Sequence, residues 1–461
     1  MSHRSPIDQL RESLKGDLVL PDDADYDQVR AVWNGMIDRR PALIARCVDA
    51  DDVVASVNFA REQNALVSVR CGGHGVAGKA VVDDGLMIDL SPMNDVSVDV
   101  RGRRARVEGG ARLGNLDAAT LPHGLATTAG LVSETGVGGL TLGGGVGYLA
   151  RRFGLTVDNL LEAEVVTAAG TKVRARADEN PDLFWALRGG GGNFGVVTAF
   201  HFRLHPIDPE VIVGQAFHPL EDAAAVLRYY RELMTDAVDE LAVYALVVNV
   251  PPVDPFPASA HGRPCIALVG CYSGDHDTGK ELLAPLQGFG NPILAFVQPM
   301  PYVALQQAFN DGTPDGARYY WKSHFLHELS DAAIDAFVEH VTELPGPFSM
   351  AGFEPMGGAI NRVDAAATAI PHRDAQFALG VWAGWAEPDD DDDAIAWTRG
   401  VHAAMAPFST GGVYTNYLDQ DDDGRIPAAF ADNLERLERV KAKYDPDNFF
   451  RANHNIRPGS R

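Results

Sequence analysis

His74 stands inside an unusual run, Arg70-Cys71-Gly72-Gly73-His74-Gly75-Val76-Ala77-Gly78. An imidazole set among glycines can bond to a ligand that bare backbone lets come close. A second glycine-dense run answers it downstream: Gly136-Val137-Gly138-Gly139-Leu140-Thr141-Leu142-Gly143-Gly144-Gly145-Val146-Gly147. Glycine weakens strands and helices, so two such runs need a reason. Successive unshielded N–H groups form concave nests for anions.

Two familiar nucleotide signatures fail on these runs. A dinucleotide fingerprint needs G-x-G-x-x-G between a strand and a helix, but Tyr148 stands where the last glycine belongs. A P-loop needs G-K-[ST], and Lys79 is followed by Ala80. What remains is a nucleotide diphosphate wrapped by two separate nests. The four cysteines, Cys47, Cys71, Cys265 and Cys271, form no C-x-x-C pair, so a thiolate metal site is not expected, and in a chain of this size in a reducing compartment neither is a disulfide framework.

The elements that must carry these residues follow from periodicity. Ala42–Arg46, Leu66–Arg70, Leu86–Leu90 and Arg104–Val107 read as strands, with helices over Val53–Gln63 and Leu113–Leu121. Leu160–Ala168 and Thr171–Arg176 read as a hairpin, and Pro181 opens a short helix to Arg188. Gly189-Gly190-Gly191-Gly192-Asn193-Phe194-Gly195 then leads into a strand over Val196–Leu204. Pro206 and Pro209 mark a boundary. Beyond it, helices (Glu221–Thr235, Asp331–Leu344, Asp393–Ala406) alternate with strands (Leu241–Val250, Cys265–Tyr272, Ala351–Pro355, Ala375–Trp385), which suggests an α+β layer with an antiparallel sheet. Trp321, Trp382, Trp385 and Trp397 all fall there, where core packing is the default and a pocket wall the alternative. Arg425–Tyr444 reads as one charged helix.

The 461 residues suggest two or three domains. The net charge of −24 disfavours nucleic acid and anionic membranes as partners. No run reaches a membrane span and Met1–Pro6 precedes no apolar leader, so a soluble, cytoplasmic protein is expected. Asp389–Asp393 and Asp419–Asp423 read as solvated turns; with only seven lysines against 32 arginines, the acidic surface fits ordinary solubility and a salty cytoplasm equally.

Several segments together carry a resemblance. The His74 loop, the Gly136–Gly147 run, Leu155-Thr156-Val157-Asp158-Asn159-Leu160, Asp182–Thr198, Tyr414-Thr415-Asn416-Tyr417 and Asp445-Pro446-Asp447-Asn448-Phe449-Phe450 occur in order across nearly the whole chain. The chain resembles FAD-linked oxidoreductases with the fold of vanillyl-alcohol oxidase and p-cresol methylhydroxylase, nearest the berberine-bridge-enzyme-like and 6-hydroxy-D-nicotine-oxidase-like branch. That resemblance implies an α+β protein whose FAD-binding domain comes in two parts, 1–208 (core about 36–207) and 411–461, with a substrate domain over 209–410. It implies FAD linked through the 8α-methyl to His74. Relatives that attach flavin a second time use a cysteine where this chain has Val132, so a single link is expected. Arg70, Cys71, Gly72, Gly73, Gly75, Gly78, Thr135, Gly138, Gly139, Thr141, Gly143, Gly144, Gly147, Val196, Asn453 and Asn455 are the other cofactor-binding residues expected, and no metal.

Flavin chemistry places a substrate C–H over N5, and an alcohol also needs a base for its hydroxyl proton. Read as a strand, residues 414–417 put Tyr414 and Asn416 on one face and Tyr417 on the other. Tyr414 is then the first candidate base. A phenol ordinarily ionises near pH ~10, so a cation is needed beside it, Lys322 or Arg373. Some plant relatives carry Tyr in place of Val146; Tyr148, two positions on, is the alternative for reaching the flavin. Glu354 and His372 are weaker polar candidates. Thr135 stands where it would influence oxygen access. The implied reaction is oxidation of a small alcohol, sugar or amine, with O2 as acceptor giving hydrogen peroxide. A dehydrogenase using a quinone or protein acceptor and a non-catalytic flavin binder are the alternatives.

Overall fold

The computed structural model describes residues 5–459; Met1–Arg4, part of the segment read above as lacking a leader, lie outside them. Near the N-terminus, strand Leu43–Arg46 pairs in parallel with Leu86–Asp89, which pairs in parallel with Val67–Arg70. Asp17–Val19 adds an antiparallel edge. Leu86–Asp89 is buried throughout, as expected of a parallel strand covered on both faces. Helix Ala50–Glu62 makes the crossover, its first turn capped by the Asp49 carboxylate, which accepts from the N–H groups of Asp51 and Asp52. Val67–Arg70 therefore ends where the His74 loop begins.

A second sheet is antiparallel, in the order Val96–Asp99, Arg104–Glu108, Val196–Arg203, Leu160–Val166, Lys172–Arg176. The expected hairpin forms its edge. Its central strand emerges directly from the 189–195 glycines.

The chain then changes sheets. His205–Pro206 still pairs with Leu125–Ala126, whereas Glu210–Pro219 belongs to a seven-stranded antiparallel sheet. Its order is Leu294–Pro301, Glu210–Pro219, Pro264–Tyr272, Leu241–Asn249, Met350–Pro355, Phe377–Trp385, Arg318–Leu326. Helices Ala223–Thr235, Asp331–His340 and Asp391–Met405 pack on one face through Val226, Phe337 and Val401. The other face carries Tyr244, Leu246 and Trp382. The α+β class and the antiparallel second sheet are as expected.

Three of its strands were not foreseen. Leu294–Pro301 carries two prolines, tolerable because it is an edge strand. Glu210–Pro219 lay hidden behind the boundary prolines, and Arg318–Leu326 mixes charges with aromatics. The helix expected over Arg425–Tyr444 is broken: Ala431 takes φ 40° between Ile426–Phe430 and Leu434–Tyr444. These last segments return to the first part of the molecule, where Leu418, Phe430, Leu437 and Ile456 join a core with Trp185, Phe200 and Phe202. No helix among the described residues is long and apolar enough to cross a membrane.

Candidate active site

A cavity of about 380 Å³ opens between the glycine loops and the seven-stranded sheet. Cys71–Ala77, Thr135, Gly136, Gly139, Gly143 and Val196 line one side. Gly190–Asn193 and Gly195 complete it and were not named as site residues from sequence, although their glycine run was the available signal. The second glycine run is not a plain turn: Val137–Leu142 forms a short helix before the chain turns at Gly144 and Gly145. The two first loops touch back to back. A Cβ on Gly72 would lie 2.5 Å from the Gly136 nitrogen, a gap that only bare backbone allows.

The far end of the chain holds the third loop. The Asn193 amide donates to the carbonyls of Gly190 (2.9 Å) and His454 (3.1 Å), and its oxygen accepts from the Ile456 N–H. Lys441, fully buried, donates to the Asn193 carbonyl at 2.7 Å and pairs with buried Asp445 at 2.6 Å. Asn453 lines the cavity and donates to the Gly192 carbonyl.

His74 opens onto the cavity, but its Nε2 is enclosed and without a hydrogen-bond partner. Burial pushes its pKa down to about 4, so the ring is neutral at pH 7 and keeps a lone pair. Trp33 stacks on it at 4.2 Å between ring centroids, and Tyr319 stacks on the opposite face of Trp33 at 3.7 Å. The Trp33 N–H donates to the Gly73 carbonyl and its indole N–H to that of Thr313. Asn34 then bridges the carbonyls of Val76 and Tyr319. Nothing in the local sequence around Trp33 signals this clamp.

Across the cavity, residues 415–417 form one turn of 3-10 helix, not a strand. With three residues per turn, positions 414 and 417 fall on the same side. Tyr417 thus faces the cavity beside Tyr414, their rings 4.9 Å apart and nearly perpendicular. The Tyr414 oxygen accepts from the Gly145 N–H (2.7 Å) and from the Asn416 amide (2.9 Å), so Tyr414 and Asn416 do meet. Burial raises the Tyr414 pKa, and the two donors offset this only in part.

Tyr417 donates to Glu354 Oε1 at 3.0 Å. Glu354 is 1% exposed, and its Oε2 has no partner. Burial pushes its pKa up to about 7, with the Tyr417 hydrogen bond pulling the other way. Burial likewise holds Tyr417 well above the ordinary phenol value, reinforced by the Glu354 charge.

Other expectations need correcting. Lys322 is no source of charge for Tyr414: it pairs with Asp421 and with buried Asp422 at 2.9 Å. Burial lowers its pKa, but those carboxylates outweigh this and leave it raised. Asp419 and Asp422 are buried, so that run is not a solvated turn. Arg373 is spent on Asp158 at 2.7 Å. Tyr148 packs edge-on against Tyr244 and is not part of the cavity wall. His372 Nε2 donates to the Ala428 carbonyl, outside the cavity. Gly138 packs against the Cys71 sulfur, and burial pushes that thiol up to about 12. Arg70, Gly78, Gly138, Thr141, Gly144, Gly147 and Asn455 stand behind the lining, shaping loops that reach it. Arg70, for instance, ties its strand to Asp89 at 3.2 Å.

Comparison with known proteins accords with this arrangement. Residues 41–176 match the FAD binding domain family model, and residues 413–457 the berberine and berberine-like model. The chain is 31% identical to an FAD-linked oxidoreductase of Dictyostelium discoideum, covering 98% of this chain and 97% of that one. It is 30% identical to (R)-6-hydroxynicotine oxidase of Paenarthrobacter nicotinovorans, covering 97% of each. Among solved structures, 6-hydroxy-D-nicotine oxidase from Arthrobacter nicotinovorans superposes with a TM-score of 0.86 at 29% identity, over 97% of this chain and 99% of that one. Glucooligosaccharide oxidase from Acremonium strictum, described as carrying a 6-S-cysteinyl, 8α-N1-histidyl FAD, gives 0.87 at 25% identity over 99% of this chain and 100% of that one. The glycine-walled cavity and these whole-length matches together establish that the chain belongs to the FAD-linked oxidoreductases of the vanillyl-alcohol-oxidase fold, in the berberine-bridge-enzyme-like and 6-hydroxy-D-nicotine-oxidase-like branch.

Proposed function

We infer that this enzyme oxidises a C–H bond of a small organic substrate, with FAD held in the cavity and Tyr417–Glu354 receiving the proton. The residues present fit the cofactor. Three glycine-bearing loops leave backbone bare along one wall, as a diphosphate requires. Among the described residues no arginine lines the cavity, and its one lysine, Lys79, already pairs with Asp423 at 3.3 Å. The diphosphate charge would therefore rest on N–H groups. His74 supplies a neutral, unpartnered imidazole for a covalent link. Val132, at the position where a thioether would need cysteine, lines the cavity without one, which supports attachment through His74 alone.

FAD, when bound, would supply a hydride acceptor whose electrons go on to O2. The protein supplies the rest. A substrate hydroxyl meeting the Tyr417 oxygen can give up its proton as Tyr417 passes its own to Glu354. The carboxylate is ionised above pH ~7, from the position of its pKa. Tyr414, accepting from the Gly145 N–H, and Asn416, donating to the Leu140 carbonyl, fix the 140–145 backbone instead of acting as bases.

The single observation carrying this reading is the Tyr417–Glu354 hydrogen bond in the cavity wall. Its test is anaerobic reduction of the bound flavin by a substrate panel, compared between the wild type and Glu354→Gln. Equal rates at pH 8 would refute the assignment. Reoxidation in air separates the oxidase from a dehydrogenase using a quinone or protein acceptor.

A further inference from the structure

We propose that the substrate is a flat, largely apolar aromatic molecule carrying the oxidisable alcohol or amine carbon, and that saccharides and anions are excluded. The proposal rests on the oxidation chemistry inferred above. Its evidence is the cavity-facing surface of the seven-stranded sheet.

Side chains on one face of a strand recur every second residue. Four adjacent strands present Tyr244 and Leu246, Met350 and Glu354, Trp382, and Trp321 to the cavity. Met350 and Trp321 each stand directly opposite Trp382 in register. Gly380, two residues before Trp382 on the same face, has no side chain, and the Trp382 ring fills that space. The indole thus lies down along the sheet instead of standing up from it. Tyr417 meets both indoles edge-on, at 5.7 Å from Trp321 and 5.6 Å from Trp382. The result is an aromatic floor beside the proton-accepting pair.

The polar inventory of that floor is short. Trp321 Nε1 and the Tyr244 hydroxyl are buried and unpartnered, and Glu354 offers one free oxygen. A ring with one or two acceptor atoms, such as an ether, a phenol or a ring nitrogen, matches two lone donors. A saccharide presents many hydroxyls, each needing an acceptor as well as a donor. Each one buried unpaired would weaken binding roughly tenfold or more. Among the described residues no free cation faces the floor to hold an anion, and the Glu354 carboxylate repels one.

For an alcohol the balance is simple. The carbinol C–H leaves as hydride to the flavin, the O–H proton passes through Tyr417 to Glu354, and a C=O bond forms. O2 then takes the two electrons and two protons and leaves as hydrogen peroxide.

The experiment uses the purified holoenzyme. Binding is read by tryptophan-fluorescence quenching with acetanilide, an unreactive aryl probe, and with cellobiose. Turnover is read by anaerobic flavin bleaching with 4-methoxybenzyl alcohol, benzylamine, cellobiose and mandelate. Expected are saturable acetanilide binding, bleaching by 4-methoxybenzyl alcohol or benzylamine, and none by cellobiose or mandelate at hundredfold higher concentration. Trp382→Ala should weaken acetanilide at least tenfold, and Trp382→Phe, which keeps a ring should the alanine variant misfold, by less. Bleaching by cellobiose or mandelate, or acetanilide binding unchanged in both variants, would overturn the proposal. Acetanilide bound but no compound bleaching the flavin would sink the oxidation chemistry and leave the aromatic pocket standing.

Discussion

Trp33 and His74 lie face to face, their planes 13° apart, and Tyr319 backs the indole at the same angle. The histidine has no hydrogen bond from Nε2, so on that side the stack is what holds the plane of the ring. Trp33→Ala should therefore lower the fraction of flavin that stays with acid-precipitated protein, by fivefold or more, while Trp33→Phe retains most of it. His74→Ala should remove it entirely yet still take up FAD reversibly. Flavin absorbance in the washed pellet checks all three; an undiminished pellet from Trp33→Ala would show that the plate is dispensable.

Tyr417→Phe should lower kcat by about 10²–10⁴, the usual span for a positioned acid–base group. The pH profile carries a sign. Glu354 accepts a proton only when ionised, so kcat/KM should rise with pH and level off above about 7. Glu354→Gln should flatten that limb. Steady-state rates from pH 5 to 9 decide it.

Gly72→Ala forces the two glycine loops apart, because the new Cβ meets Gly136 backbone, not a yielding side chain. FAD content should fall several-fold. The ratio of flavin to protein absorbance after purification measures it, with circular dichroism confirming that the variant is folded.

Away from the cavity, His324 and His402 stack at 4.0 Å, and burial holds their pKa values near 4 and 3 respectively. The unfolded chain takes up these protons near pH ~6.5, before the folded one can. Stability from this pair is thus complete above that pH and is lost as pH falls toward 4. His402→Phe keeps the stack but loses one titration. The fall in its melting temperature from pH 7 to 4.5 should be shallower than in the wild type.

Lys441→Met would leave Asp445 buried without its cation, a loss of roughly 3–5 kcal/mol for pairs of this kind. Urea unfolding should show it.

Much of the cofactor side was readable because glycine clusters have few other uses, and His74 stood inside one. The substrate side was harder. Whether Tyr417 faces in or out turned on a period of two against three over four residues, too short a stretch for periodicity to decide. Glu354 looks in sequence like any strand glutamate; only its register beside the aromatic floor isolates it from water. Lys322 looked free because the acidic run that neutralises it lies about a hundred residues away and looked solvated. Trp33 precedes His74 by 41 positions, and neither local spacing nor charge connects them.

Residues 441–456 lock the 190–195 loop through Asn193 and Lys441. Without them the Gly190–Asn193 wall loses these braces. A fragment cut before position 441 would accordingly purify colourless, although it keeps His74 and both of the earlier glycine runs.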